Sequence, residues 1–383
     1  MKLIYLVADD QYFCSHRLPL ALAAQKAGYD VRVATVIKNH GPAIEQAGLK
    51  VIALKHFKRR LTGPWQDTKA LLELYYLYKS ERPDVVHQVA IKPSMLGTWA
   101  ARLAGVPRII NAFGGLGFIF TSQALWVRLL RFGLIQVMRL LFHRPQDRLI
   151  LQNPDDAAVL TGLGVITPQQ ITLIRGAGVD TTQLHPVTPP TTPPVIVTLA
   201  CRMLKMKGVE DLLEAIKLLH QRGVNAEFHF LGDVDPSNPA SLSREVLLQA
   251  EASGLIRWFG HVSNVAHHYQ HSHVAVLPSR GGEGIPKSLL EAAAVGLPIV
   301  TTDTPGCREA VRDGFNGFLV PPAAPTELAR ALEALITDPQ LRQRMGEASR
   351  TRAVAEFEVS KVIAATLELY HPDEGAKACP SPN

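Results

Sequence analysis

Short apolar segments alternate with helical patterns along this chain, and the alternation runs twice, on either side of a proline-rich stretch. In the first half the segments are LIYLV at 3, VRVAT at 31, VIAL at 51, DVVHQ at 84, RIINA at 108, RLILQ at 148 and ITLI at 171. In the second they are VIVTLA at 195, EFHFLG at 227, IRWFG at 256, VAVLPS at 274, LPIVTT at 297 and GFLVP at 317. Runs this short and this apolar, separated by amphipathic helices, predict an α/β fold with parallel sheets. Between them Pro186, Pro189, Pro190, Pro193 and Pro194 lie among threonines, where neither a helix nor a central strand persists. The expected organisation is a first domain over 1–185, a linker over 186–194 and a second domain over 195–370. A last helix at about 352–370 is expected to return to the first domain, and the tail 371–383 is expected to be disordered. Open parallel sheets bind ligands at the carboxyl ends of their strands, so a cleft between two such domains is the expected site.

The totals agree with two ordinary domains: 383 residues, of which 47% are apolar, suffice for two cores. Cys14, Cys201, Cys307 and Cys379 lie far apart with no CxxC pair, which suits a reducing cytosol rather than a disulfide scaffold. MKLIYLVADD reaches Asp9 and Asp10 before a signal-peptide apolar region is complete, so export is not expected. Ile109 to Val127 carries no charge, but Asn111, Gly114, Gly115, Gly117 and Gln123 suit a strand and loop better than a spanning helix. Charge is unevenly divided. Residues 1–185 hold 22 Lys+Arg against 12 Asp+Glu, a balance of +10, while 186–383 hold 18 against 22, a balance of −4. A basic half suits nucleic acid, an anionic membrane or a phosphorylated substrate, and charge alone does not choose among them.

The most informative motif is EGIPKSLLE, Glu283 to Glu291, between the strands at 274 and 297. Pro286 suits the first position of a helix, whose amide needs no partner. The amides of Lys287, Ser288 and Leu289 would then point out of the helix N-terminus, where the dipole favours a phosphate. Glu291 lies five residues on from Pro286, roughly 7.5 Å at 1.5 Å per residue, a separation that fits diphosphate to ribose. Glu283, with Gly284 and Ile285 behind it, sits before the helix on the side where a sugar attached to that diphosphate would lie. Taken alone, two glutamates flanking an ordinary surface helix read the same way. A second feature lies in the same domain. The strand at 195 ends in Cys201 and Arg202, and Lys207 and Gly208 open a helix with apolar Val209, Leu212, Leu213, Ile216 and Leu219 at helical spacing. An arginine fork and a lysine point charge at one strand-to-helix turn suit a departing diphosphate.

With these residues in place, the sequence resembles the family 4 retaining glycosyltransferases with the GT-B fold, two Rossmann-like parallel-sheet domains facing across a cleft. The resemblance covers most of the chain. It includes FCSHRLPLALAAQKAGYDV from Phe13, IKPSMLGTWAARLAGVPRII from Ile91, FGGLGFIF from Phe113, RGAGVDTTQLHP from Arg175, LGDVDPSNPAS from Leu231 and TTDTPGCREAVRDGFNGFLVPP from Thr301. The N-terminal features are similar to the subgroup that assembles lipid-linked O-antigen and capsule precursors. The resemblance implies that Arg202 and Lys207 hold the donor diphosphate, Glu283 contacts the donor sugar and Glu291 binds the ribose. Backbone near Gly260 and His261 would border the base. Many members carry a histidine in the first-domain loop facing the donor sugar; the matching stretch here, Asn111 to Gly117, has none. His16 is the candidate on the acceptor side, with Gly114 and Gly115 offering close backbone approach.

Other features carry less. Asp233-Val-Asp235 has the spacing of a metal-binding carboxylate pair, but Pro236 and Pro239 make a turn the better account, and no metal is expected to be required. Gly114, Gly115 and Gly117 lack the spacing of a dinucleotide-binding helix. His261, His267, His268, His271 and His273 match a metal cluster in number only. From Ala124, ALWVRLLRFGLIQVMRLLFHR gathers Arg128, Arg131, Arg139 and His143 within about a third of the helical circumference. A buried helix with one solvated stripe and a helix lying on an anionic leaflet share this pattern. KHFKRR at 55–60 and Trp65 add basic and aromatic anchors, favouring peripheral attachment at the inner face of the plasma membrane.

The expected reaction moves a hexose or N-acetylhexosamine from a nucleotide diphosphate sugar, a UDP-sugar first among them, to a polyprenyl-diphosphate-linked glycan. Family resemblance implies retention by front-face attack. The rivals are a nucleotide-sugar epimerase on the same fold, a non-catalytic nucleotide-sugar binder, and a nucleic-acid binder. The last lacks the aromatic platforms that stack bases among basic residues.

Overall fold

LIYLV presents apolar side chains to both faces, and such a strand is stable only when a layer covers each. In the computed structural model, which describes residues 1–58, 63–122, 124–188, 192–236 and 238–371, that condition is met at the centre of a parallel sheet. The strands are β1 (Lys2–Val7), β2 (Asp30–Thr35), β3 (Lys50–Ala53), β4 (Val85–Val89), β5 (Arg108–Ala112), β6 (Arg148–Leu151) and β7 (Ile171–Leu173). They pair in parallel in the order β3-β2-β1-β4-β5-β6-β7. The pleat divides β1 between two cores, Leu3, Tyr5 and Val7 into one and Ile4 and Leu6 into the other.

A second parallel sheet repeats the plan with β8 (Val195–Ala200), β9 (Ala226–Leu231), β10 (Arg257–Trp258), β11 (Val274–Leu277), β12 (Ile299–Thr302) and β13 (Gly317–Val320), ordered β10-β9-β8-β11-β12-β13. Each apolar segment read from the sequence is a strand. Helix Val209–Gln221 buries Val209, Leu212, Leu213, Ile216 and Leu219, the positions its spacing marks. In both sheets the winding direction reverses beside the first strand, between β1 and β4 and between β8 and β11. Such a reversal opens a crevice at the carboxyl ends of the strands.

The chain forms two compact units, Met1–Ala177 joined by the chain from Val362, and Gly178–Lys361. Leu184 packs on the core of the second unit, and Arg350 donates to the carbonyls of Thr181, Leu184 and Ala294. The last helix, Val359–Glu368, starts in the second unit, while Val362 and Tyr370 join a core of the first. Pro189 and Pro190 of the proline-rich stretch, Arg59, Arg60, Gln123, Ser237, Cys379 and the tail after His371 lie outside the described residues.

Helix Leu125–Leu141 buries Val127, Ile135, Met138 and Leu141 and leaves Leu125, Trp126, Leu129, Phe132 and Leu140 exposed, the leucines at 69–71% and the aromatics at 64–65%. Its outward side is therefore apolar as well as basic, which a buried helix with one solvated stripe does not describe. Among the described residues no helix is long and apolar enough to cross a membrane.

Candidate active site

The carboxyl edge of the second sheet gathers the charged residues singled out in the sequence. After β8 the chain passes Cys201 and Arg202 and makes a tight turn, Lys205–Lys207, before Gly208 caps helix Val209–Gln221 with φ 70°. A Cβ at Gly208 would overlap the Pro278 carbonyl oxygen, so glycine is what lets the loop after β8 touch the loop after β11. That contact brings Lys207 to Glu283. The Lys207 ammonium pairs with Oε2 of Glu283, and the Ser279 hydroxyl donates to Oε1. Burial works against the ammonium, but its anionic neighbours, Glu283 foremost, together hold the Lys207 pKa above its ordinary value. Burial pushes the neighbouring Cys201 thiol up to about 12 although Lys207 draws it down, so this thiol is not a nucleophile at neutral pH.

Arg202 stands at the same edge, half exposed, with Nη1 3.6 Å from Asp235 Oδ2. Asp233 in turn faces Arg244 Nη1 at 3.4 Å. Both carboxylates of the Asp-Val-Asp segment thus meet guanidinium groups, and the segment turns through an Asn238 N–H to Asp235 carbonyl bond of 2.7 Å. The amide of Gly232, at the end of β9, donates to the Gly260 carbonyl at 2.7 Å, which ties Gly260 and the exposed His261 beside it to this edge.

The paired-glutamate helix differs from expectation by one residue. It spans Lys287–Ala294, and Pro286 is its cap, with ψ 122° in the extended region rather than the first helical turn. The Leu289 amide is also not available to a ligand, because it donates to the Pro286 carbonyl at 3.0 Å. The N-terminal amides ahead of it are those of Lys287 and Ser288. Glu291 lies one turn on, mostly buried, 3.3 Å from Lys287 Nζ. Burial pushes its carboxyl above the usual carboxylate range and the Lys287 charge pulls it part of the way back.

In the first unit, His16 closes helix Asp10–His16 with its ring stacked on Tyr12 at 4.3 Å and 7°, and its Nδ1 is 2.6 Å from the Ser15 hydroxyl. Gly114 lies against the same tyrosine, since a Cβ built there would be 3.6 Å from Tyr12 Oη. The segments that follow β1 and β5 thus bring His16 and Gly114 against the same Tyr12, with Gly115 next in the chain. The histidines of the second unit scatter by role. His273 is buried and accepts from the Ile196 amide at 2.9 Å, His268 packs edge-on against Phe259, and His267 and His271 lie 4.4 Å apart on the surface. Among the described residues no group of three or more His, Cys, Asp or Glu is placed to hold a metal.

Sequence reasoning missed Ser279, and with it the bidentate pair of Arg280 and Asp211. The partners are 69 residues apart and no local spacing announces them.

Comparison with known proteins places both halves. The Glycosyl transferases group 1 family model matches residues 180–352, and the Glycosyl transferase 4-like model matches 2–152. The chain is 26% identical over 367 residues to the N,N'-diacetylbacillosaminyl-diphospho-undecaprenol alpha-1,3-N-acetylgalactosaminyltransferase of Campylobacter jejuni, covering 92% of this chain and 94% of that one. It is also 26% identical over 318 residues to the UDP-Gal:alpha-D-GlcNAc-diphosphoundecaprenol alpha-1,3-galactosyltransferase of Escherichia coli, covering 80% and 79%. Among solved structures, a sucrose-phosphate synthase from Thermosynechococcus elongatus shares the fold with a TM-score of 0.79 at 20% identity, over 97% of this chain and 98% of that one. The chain belongs to the GT-B glycosyltransferases, in family 4, with a 4-like first domain and a group 1 second domain.

Proposed function

We propose that the protein transfers a hexose or N-acetylhexosamine from a UDP-sugar, with retention, to a polyprenyl-diphosphate-linked glycan in surface-polysaccharide assembly. The observation that carries this reading is the Lys207–Glu283–Ser279 cluster at the winding reversal of the second sheet, a place where anionic ligands bind. Two relatives that the chain matches over most of its length are named for undecaprenyl-diphosphate-linked acceptors, and one of them for a UDP-sugar donor. In this reading Lys207 and Arg202 take the charge that grows on the leaving diphosphate, Lys287 and Ser288 offer amides to it, and Glu291 accepts from the ribose. Gly260 and His261 border the base, and Glu283, with Gly284 and Ile285 behind it, meets the donor sugar. His16, Gly114 and Gly115 stand on the acceptor side. The leaving phosphate serves as the base in front-face attack, and the charges that need stabilising are met by side chains without a required metal.

The acceptor class calls for a membrane, and the first unit has a surface suited to one. Helix Leu125–Leu141 exposes Leu129, Phe132 and Leu140 beside Arg128, and Trp65, Tyr76, Trp99 and Leu103 are exposed on helices Pro64–Glu81 and Ile91–Ala104. Residues 1–185 carry +10, the sign that anionic lipid attracts. The proposed location is the cytoplasmic leaflet, held peripherally.

Incubation with a panel of nucleotide sugars, with and without a polyprenyl-diphosphate-linked acceptor in membrane extract, tests the reaction. A lipid-linked product formed only with extract supports it. Epimerised free sugar nucleotide would assign an epimerase instead, and binding without turnover a sensor.

A further inference from the structure

Glu283 sits on a loop with no regular structure of its own. Between Pro278 and Pro286 the chain passes through Gly281 and Gly282, with φ of 106° and 80°, and the bonds that hold it come largely from residues outside the loop. The holding groups come from the other loop. The Arg280 guanidinium donates through Nε to Asp211 Oδ2 at 2.8 Å and through Nη2 to Oδ1 at 2.6 Å, a fork-to-carboxylate pair. The Arg280 amide donates to the Met206 carbonyl at 2.8 Å, and the Ser279 hydroxyl lies 3.3 Å from the same oxygen.

Asp211 is a firm anchor. It is the third residue of helix Val209–Gln221, its side chain is 8% exposed, and the adjoining Val209 and Leu212 are fully buried in the core. The geometry therefore links five residues across the two loops. Lys207 and Asp211 flank the start of one helix, Ser279 and Arg280 adjoin on the opposite loop, and Glu283 receives Ser279 on one oxygen and Lys207 on the other.

We infer that the Asp211–Arg280 pair is a positioning element for sugar transfer, fixing the loop that carries Glu283 against the Lys207 turn. The inference rests on the reading of Glu283 as the donor-sugar contact. Neither partner is assigned a contact with substrate. The pair acts by limiting where Glu283 can be, and a displacement near 1 Å at a reacting group costs about 100-fold in rate. A second consequence is electrostatic. Asp211 lies in the first turn of a helix whose N-terminus faces the edge where a diphosphate arrives, and the Arg280 charge offsets the repulsion it would exert.

The test compares the parent with D211N, R280Q, R280K and the charge swap D211R/R280D, each confirmed folded by its melting temperature, using the nucleotide sugar that the parent turns over. D211N and R280Q should lower kcat about 10- to 100-fold while leaving the Kd for UDP within about twofold, because the nucleotide contacts are untouched. R280K keeps the charge but loses the fork and should fall between. The swap should recover part of the lost kcat, which a purely structural role would not produce. Should a single variant fail to fold, R280K and the swap still decide. Parental kcat in folded D211N and R280K overturns the positioning role, as does a loss of UDP affinity equal to the loss in kcat. If the parent itself transfers no sugar from any donor, the functional reading falls and the positioning role with it.

Discussion

In its proposed role, Glu291 sets binding against stability at a single carboxylate. Burial raises its pKa above the ordinary glutamate value, so the folded protein holds that proton to higher pH than the unfolded chain does. The stability linked to this group is therefore fully present below the ordinary glutamate value and is lost as pH rises through the raised folded value. A ribose diol, by contrast, donates to the ionised form, so nucleotide affinity should rise over that same window. Calorimetric titration of UDP across acidic pH should show the rise in the parent and its absence in E291Q. E291A should weaken UDP by roughly 1.5 to 3 kcal/mol and inorganic diphosphate much less; equal losses for both would reject the ribose role. Lys207 makes a different prediction, because in the proposed reaction its charge acts on a leaving group. K207A should keep the fold and lower kcat by roughly 100-fold or more, measured as initial rates at saturating donor. An unchanged rate at both saturating and limiting donor would remove Lys207 from the reaction. The place of Arg202, Lys207 and Glu283 at the carboxyl edge of the sheet is legible in the sequence because each follows a strand end. The bonds of Ser279 and of the Asp211–Arg280 pair are not, since two loops far apart in sequence make them and only the folded sheet brings them together.

At the scale of elements, all the strands could be read because buried parallel strands are short continuous apolar runs, which flanking helices and turns delimit sharply. Helix ends were less readable: whether Pro286 caps the helix or begins it turns on one ψ angle, which composition does not encode. Helix Leu125–Leu141 was ambiguous for a sharper reason, because the sequence shows which residues share a stripe but not which stripe faces outward. The structure turns Leu125, Leu129, Phe132 and Leu140 outward and engages two of the three arginines locally, Arg131 with the Phe120 carbonyl at 2.8 Å and Arg139 with the Leu163 carbonyl at 2.8 Å. Membrane attachment should therefore have two separable parts. Raising salt from 0.1 to 1 M contracts the Debye length from about 10 Å to roughly 3 Å and should release the charge-driven share from anionic vesicles. The apolar share should survive salt and be lost in L129Q/F132Q. Co-sedimentation of R128Q/R131Q/R139Q should show weakened binding at low salt only. Folded variants of both kinds that sediment like the parent would place the membrane contact on another element.

Across the whole molecule, the second half of the chain does not belong to one unit alone. After Lys361 it supplies Val362 and Tyr370 to a core built from residues at the other end of the sequence. The Tyr370 hydroxyl is 2.8 Å from the Tyr5 hydroxyl on β1 and 2.6 Å from His87 Nδ1 on β4, and all three side chains are buried. Burial holds the Tyr370 pKa well above and the His87 pKa well below their ordinary values, so the network is neutral when folded. Y370F keeps the ring and removes the hydroxyl, leaving the Tyr5 hydroxyl and His87 Nδ1 without that partner, at about 1 to 3 kcal/mol for each buried group left unsatisfied. Its signature should be a lower unfolding midpoint with sugar-nucleotide binding unchanged, since none of the residues proposed to hold the donor belongs to this core. The pH dependence follows from His87. A histidine whose folded pKa is depressed contributes stability that is full above its unfolded value near 6.5 and is lost as pH falls through and below it. Chemical denaturation at pH 7.5 and pH 5 should show the parent losing stability on acidification, and H87F, which cannot charge, losing less. If Y370F unfolds at the parental midpoint and H87F keeps the parental pH dependence, the returning segment is held by its apolar contacts alone, and the buried hydroxyl network contributes nothing to closing the first unit.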